Sequence, residues 1–381
     1  ITLKGVRGDL VALFGLEPLP LVSEHSSPEE ARRYIAALNK MMAAFGTFHI
    51  DKAEAKEYSA GMQGPIAFNW TAGRFAYSDA SITKFGPMQV DDLKVSALNS
   101  QVATVEKIHC QGMVIPDIFT IQMDVYYPEA YGKEIMQVFA KTPMLVKGLV
   151  FEKMTVTPMT SEALTLDKAS FDMELGLEKV SVMKEIKNLV IPVSVYSMIS
   201  GEAAMFGVMH KQPLMLDGNV DFALNQKDGK GDLLVRKVML SESNLGNATF
   251  TGELPFFGQG DTLEDLLVGG ASFLLKTATL VVEDKKGMEL FLAMQLAPGS
   301  GQNPTSMSTA TLRSGIVDGL KALAAQQNTA DKKKIIEGVA QLVGAPGKLH
   351  ISVTPPQPVA IEGIERGDAP LNAKVEYTPA K

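Results

Sequence analysis

Apolar and polar residues alternate along much of this chain, and the alternation is clearest in its middle. Val220, Phe222 and Leu224 alternate with Asp221, Ala223 and Asn225. A turn at Asp228-Gly229-Lys230-Gly231 then leads into Leu233–Leu240, and a second through Asn244, Gly246 and Asn247 into Ala248, Phe250, Gly252 and Leu254. Period-two runs joined by Gly/Asn/Asp turns predict a three-stranded antiparallel meander. Phe119, Ile121, Met123, Val125 and Tyr127 alternate with polar partners, as do Ile66, Phe68 and Trp70, predicting half-buried strands. Between Leu164 and Leu175 the apolar phase flips near Lys168, which predicts a bulge or a passage between buried faces. Leu349, Ile351 and Val353 predict a last strand, and the tail after Gly363 reads as loosely held.

Helical spacing interrupts the strands. Ser27, Pro28, Glu29 and Glu30 form a helix start, and Ala31, Ile35, Leu38, Met42 and Phe45 share one face up to Gly46. Shorter helical patterns cover Val6–Phe14, Pro128–Ala140 and Tyr196–Met209. Asp261 with Glu264 reads as a helix start before Leu263, Leu266, Leu267, Phe273 and Leu274. A hairpin is expected from Leu280–Val282 through Asp284–Gly287 to Met288, Leu290, Leu292, Met294 and Leu296. Two helices follow over Met307–Gln327 and Ala330–Val343, the second stopped by Gly344 and Pro346.

Two echoes run through the β region. Val95-Ser96-Ala97-Leu98-Asn99-Ser100 with Thr104-Val105-Glu106-Lys107 matches Val156-Thr157-Pro158-Met159-Thr160-Ser161 with Thr165-Leu166-Asp167-Lys168. Met113-Val114-Ile115-Pro116 matches Leu189-Val190-Ile191-Pro192. The offsets differ: Val95 to Val156 is 61 residues and Met113 to Leu189 is 76. Repeated units that bury their faces against neighbours imply one extended sheet. The expected fold is α+β and β-dominated: a long, curled antiparallel sheet of repeated strand units with docked amphipathic helices. A TULIP-like lipid-binding super-roll is the alternative. The expected division is a helical segment over 1–58, a repeated β region over 59–260 and an α/β region over 261–381.

The stretches "LKVSALNSQVATVEKIHCQGMVIP" and "LVFEKMTVTPMTSEALTLDKASF" resemble the AsmA-like envelope proteins of Gram-negative bacteria, as do "GDLLVRKVMLSESNLGNATFTGEL" and the ending "APGKLHISVTPPQPVAI". The resemblance spans residues 60–360 and brings no catalytic signature. It implies periplasmic residence behind an N-terminal signal or anchor, and handling of lipids in an apolar groove. The start at Ile1, without an initiator Met, fits such a removed segment. The C-terminal helices and the short length depart from the long members of that group.

Composition narrows the chemistry. The 381 residues are 46% hydrophobic and 21% charged, which suits a globular protein rather than a disordered one. A net charge of −7 without Lys/Arg-rich runs argues against nucleic acid, whose binding rests on phosphate neutralisation. The single cysteine, Cys110, forbids an intrachain disulfide and a cysteine-based zinc site. His25, His49, His109, His210 and His350 have no metal-ligand spacing, and adjacent His109 and Cys110 in a strand point to opposite faces. No stretch of about 18 apolar residues spans a membrane. Gly258-Gln259-Gly260 lacks the lysine of a phosphate loop, and Asp228–Asp232 lacks the closing glutamate of a calcium loop. No catalytic residue, metal or cofactor is therefore assigned.

The 20 methionines include Met123, Met154, Met173, Met239, Met288 and Met294 in strand-like segments, and such side chains either fill cores or accept varied apolar ligands. The apolar lining expected for a ligand is Phe119, Ile121, Met123, Val125, Phe171, Met173, Phe222, Met288, Leu290 and Met294. A non-enzymatic exported protein binding a lipid or another apolar molecule in a groove of the sheet is the leading expectation. A closed structural module that binds another envelope protein is the second.

Overall fold

The computed structural model describes residues 2–7, 28–62, 68–81, 83–97, 100–117, 137–139, 141–158, 162–196, 209–227, 230–257, 272–296, 308–366 and 369–380. Its described strands, eighteen in number, form a β-dominated antiparallel sheet with helices, the expected fold class. The chain divides into two compact units, residues 1–153 with 170–181, and residues 154–169 with 182–381.

In the first unit β1 (Thr2–Arg7) is followed by helix α1 (Pro28–Gly46). Strands β2 (His49–Met62), β3 (Phe68–Ser81), β4 (Lys84–Phe85), β5 (Met88–Ala97), β6 (Ser100–Cys110) and β7 (Gly112–Val114) come next. The strands β8 (Met144–Val156), β9 (Leu164–Leu175) and β10 (Lys179–Ile191) pass between the units along the chain. Antiparallel pairing runs β1–β2–β3–β5–β6, with β4–β7 and β7–β8 beside it. The helix expected from Ser27 to Gly46 is α1. The first echo falls on successive strands at both copies, β5 and β6, then β8 and β9, while positions 98–99 and 159–161 between them lie outside the described residues.

Val6, the start of the expected helix, lies in a strand, and positions 8–14 of that helix lie outside the described residues. Its segment carries only a few apolar residues, and pairing with Lys52 and Ile50 on β2 overrides that weak local preference. The buried side chains of this unit are mostly small, among them Ala53, Ala55, Ala72, Ala80 and Ala97 with Val90, Val105, Val146 and Val150.

Left-handed residues recur in these strands and break strict alternation, while the register stays continuous across Glu57, Asp79 and Asp92. Glu57, Asp79, Asp92 and Asn188 sit in strands with φ of 49°, 52°, 54° and 48°. A residue in this left-handed region turns its flanking peptide and costs energy unless its surroundings accommodate it. The register places Gly73 opposite both Glu57 and Asp92, where a Cβ would come 3.1 Å from the Asp92 carboxylate. Elsewhere an aspartate of the next strand takes the N–H of a left-handed residue. Gly148 donates to Asp172 Oδ1 at 2.7 Å, and Asn188 donates to Asp217 Oδ1 at 2.7 Å. The phase flip near Lys168 falls beside the boundary between the two units at 169/170.

In the second unit a short helix α2 (Val193–Tyr196) precedes the meander β11 (Leu214–Lys227), β12 (Lys230–Glu242) and β13 (Gly246–Phe257), as expected. Then come β14 (Ser272–Leu275), β15 (Thr277–Asp284), α3 (Gly287–Gln295), α4 (Thr309–Ala325), α5 (Ala330–Gly344), β16 (Gly347–Val353), β17 (Val359–Ala360), α6 (Ile361–Arg366) and β18 (Lys374–Pro379). The main ladder is β11–β12–β13–β15–β16–β18. Helices α4 and α5 fall where the sequence places them, α4 capped by Ser308, whose side chain accepts the Thr311 N–H at 3.1 Å. Helix α5 packs on β16 and β18, where Leu342, Leu349, Ile351, Val353, Leu371 and Ala373 form the core. The fit is close: a Cβ on Gly338 would lie 2.4 Å from Val375.

Three expectations fail here. Met288 to Leu296 is not the second arm of a hairpin. Its Met, Glu, Leu, Phe and Ala residues favour helix, and Asp284 Oδ1 takes the Met288 N–H at 2.9 Å, starting α3. Phe273 and Leu274 belong to β14 rather than a helix, held by pairing with Phe256 on β13 and Ala360 on β17. The tail is not loose. Asp331 accepts the Leu371 N–H at 2.8 Å and the Ala373 N–H at 3.2 Å, and β18 completes the sheet on β16. Most of Tyr196–Met209 and Pro128–Ala140, the Asp261 helix start and the strand at Phe119–Tyr127 lie outside the described residues.

Candidate functional site

The register of the second unit assembles one continuous apolar face. Val220, Val238, Phe250, Leu280, Ile351 and Val375 form one row across six strands. Gly218, Leu240, Ala248, Val282, Leu349 and Tyr377 form the next. Phe222, Val235, Gly252, Ala278 and Val353 form a third. A bulge at Arg236 and Lys237 keeps Val235 and Val238 on the same side despite their odd spacing. The matching row of the opposite face is mixed: Asn219, Met239, Thr249, Val281, His350 and Glu376.

Helix α5 covers only part of this face. Leu349, Ile351 and Val353 are 2%, 7% and 8% exposed, whereas Val238, Leu240 and Leu280 are 39%, 61% and 37% exposed. The β11–β12–β13 end is therefore an apolar surface that no described element covers. Contiguous apolar area of this kind marks a binding surface more often than isolated exposed residues do.

A cleft of about 890 Å³ opens at the same end of the ladder, lined by Met209 to Gln212, Ser243 to Leu245, and Lys285, Lys286, Glu289, Leu290 and Ala293. Its frame is held by backbone bonds. The Glu242 side chain, 7% exposed, accepts the N–H groups of Met215 at 3.2 Å and of Asn244 and Leu245 at 2.7 Å each. The Leu245 carbonyl in turn accepts from Lys285 at 3.0 Å, Lys286 at 3.3 Å and Gly287 at 3.2 Å. The Lys285 ammonium donates to the Ser243 carbonyl at 3.0 Å. Gly246, at φ 137°, permits the turn to lie against β15, since a Cβ there would sit 2.0 Å from the Glu283 carbonyl. Buried Tyr196 donates to the Gln212 carbonyl at 2.8 Å, and its phenol titrates above the ordinary range because burial, and secondarily Glu242, disfavour phenolate.

The first unit has a smaller aromatic groove of about 220 Å³. Leu3, Ala53, Ala55 and Tyr58 meet Trp70, Phe75 and Tyr77 there. Ala55 and Tyr58, like Trp70 and Phe75, line the same groove despite their odd spacing, because the left-handed Glu57 and the facing Gly73 lie between them. Tyr58 and Trp70 are 5.2 Å apart between ring centres. Nearby, the Arg7 guanidinium beside Asp51, and secondarily His49 at 3.0 Å, hold the Asp51 carboxyl below its usual value.

The expected lining residues are dispersed. Phe222 lies on the apolar face, Leu290 lines the cleft, and Met288 and Met294 lie on α3 beside it. Phe171 and Met173 are half-buried on β9 in the first unit, and Phe119, Ile121, Met123 and Val125 lie outside the described residues. Sequence reading missed the lysines of the cleft, because Lys211, Lys285 and Lys286 come from separate segments. Cys110 is buried, its thiol donating to the carbonyls of Gly112 at 3.4 Å and Lys147 at 3.5 Å. Among the described residues no group of three His, Cys, Asp or Glu side chains is placed to hold a metal ion, and no helix is long and apolar enough to cross a membrane.

Residues 244–375 match the model of a protein family described as "Uncharacterized protein". The match begins in the turn before β13 and ends within β18, so it takes in β15, β16, the helices on them and one side of the cleft. No curated protein matches the chain.

Proposed function

We propose that this protein is a non-enzymatic carrier or receptor for a lipid or similar apolar ligand, which lies on the uncovered end of the second unit's sheet. One observation carries the reading: the apolar rows continue for three strands beyond the helical cover, up to Leu240 at 61% exposure. Covering that surface with hydrocarbon returns roughly 25 cal/mol for each Å² removed from water. The resemblance to AsmA-like envelope proteins supports the same reading and, with it, an exported, periplasmic setting.

The test is mass spectrometry of the gently purified full chain, together with titration of a fluorescent fatty acid. A co-purifying lipid and saturable probe binding are expected. Leu240→Asp should weaken probe binding several-fold while leaving the fold intact, because the side chain is already largely in water. A ligand-free spectrum combined with no probe binding would overturn the proposal.

A further inference from the structure

We infer that the cleft beside the apolar face recognises the anionic headgroup of an amphiphile whose hydrocarbon occupies that face; the inference rests on the lipid-binding reading above. Lys211, Lys285 and Lys286 line the cleft with His210 and the carboxylate of Glu289, while the Glu242 carboxylate lies buried behind the wall and is taken up by backbone N–H groups. In a chain of net charge −7, such a gathering of cations is a local feature and not the general character of the surface. Met209, Leu245, Leu290 and Ala293 supply apolar wall between the charges, so the lining is amphipathic.

The register joins the two parts. Leu240, Ala248 and Val282 form the last apolar row, and the pairs Glu242–Gly246 and Gly246–Asp284 follow two residues further along the strands. At about 3.3 Å per residue, the hydrocarbon track ends roughly 7 Å from the level of the cleft. That spacing suits one molecule with an apolar tail and a charged head. Lys285 gives one of its three ammonium hydrogens to the Ser243 carbonyl, which fixes the group in place and leaves two donors for a ligand oxygen. The three N–H bonds into Leu245 O and the three into Glu242 hold both walls before any ligand arrives. A free inorganic anion would have no use for the apolar wall or the rows beyond it, and so the occupant is a lipid.

The experiment titrates the full chain by calorimetry with three lipids of identical short acyl chains below their aggregation limit. These are a phosphatidylglycerol, a phosphatidylcholine and a diacylglycerol; inorganic phosphate is the fourth probe. The expected result is phosphatidylglycerol binding about tenfold tighter than the other two lipids, with the margin shrinking in high salt. Lys285→Glu combined with Lys286→Glu should erase the margin while leaving diacylglycerol affinity and the circular dichroism spectrum unchanged. Lys211→Glu, on a different segment, should reduce the margin independently. Equal affinity for all three lipids would overturn the headgroup inference and leave the lipid reading standing. No binding of any lipid would overturn both. Phosphate binding as tightly as phosphatidylglycerol would make the cleft a free-anion site and overturn the inference.

Discussion

Replacing Glu242 tests whether one buried carboxylate holds the frame of the cleft. Its oxygens take three backbone N–H groups, from Met215, Asn244 and Leu245. In Glu242→Ala all three lose a charged acceptor. A net bond to a charged group is worth about 1.5–3 kcal/mol when buried, but Ser243 and Asn244 are exposed and water can replace part of the loss. The expected cost is about 3 kcal/mol, or a fall of about 6–12 °C in the melting temperature of the second unit. Glu242→Gln is the sharper comparison. Its amide oxygen can keep the close pair from Asn244 and Leu245, while its NH₂ faces the Met215 N–H, so the cost should be about 1–1.5 kcal/mol. Because the chain has two units, thermal melting needs a local readout beside it. Hydrogen exchange across residues 243–250 supplies one: protection should fall in the order wild type, Gln, Ala. If both variants keep wild-type protection at Asn244 and Leu245, the carboxylate does not hold the turn and the case for a preformed cleft collapses.

Two further outcomes are expected. Asp331→Ala removes the acceptor of the Leu371 and Ala373 N–H groups, so residues 369–380 should exchange faster and the unit should lose about 2–3 kcal/mol; unchanged exchange there would mean β18 is held by pairing with β16 alone. The phenols of Tyr196 and Tyr377 titrate above 10.0, chiefly through burial and secondarily through Glu242 and Asp284 respectively. A folded value above the unfolded one gives stability that is fully present below about pH 10 and is lost as pH rises through the raised values. Melting between about pH 9 and 11 should therefore fall less steeply in Tyr196→Phe/Tyr377→Phe than in wild type.

Strands whose alternation is strict were legible in the sequence. The meander at β11–β13 and the strand at β16 follow from period-two patterning and turn residues, and α1, α4 and α5 from apolar spacing and their stops. Most errors lie where tertiary contacts outvote local pattern, whereas α3 follows its own helix propensity and the nearby Asp284. Met288–Leu296 has enough apolar residues to suit either a strand or a helix, and the decision rests with Asp284, four residues before Met288 in sequence but fixed in place by β15. The tail after Gly363 shows little pattern of its own, because an aspartate about forty residues earlier holds it. The cleft was illegible for a similar reason. No spacing rule connects Lys211 with Lys285, which meet only because β11, β12, β13 and β15 end together. The apolar face was half legible: Phe222 was read from alternation, but its continuation through Val238 and Leu240 crosses a bulge that shifts the odd and even positions.

The left-handed residues also bear on how such strands can vary. At Glu57 and the facing Gly73 both strands change the side on which their next side chains lie, and the pairing continues in unbroken register. In a strictly alternating strand, a single-residue insertion exchanges the buried and wet sides of everything downstream. An irregularity carried by two facing positions avoids that mismatch, so Glu57 and Gly73, or Asp92 and Gly73, have to vary together.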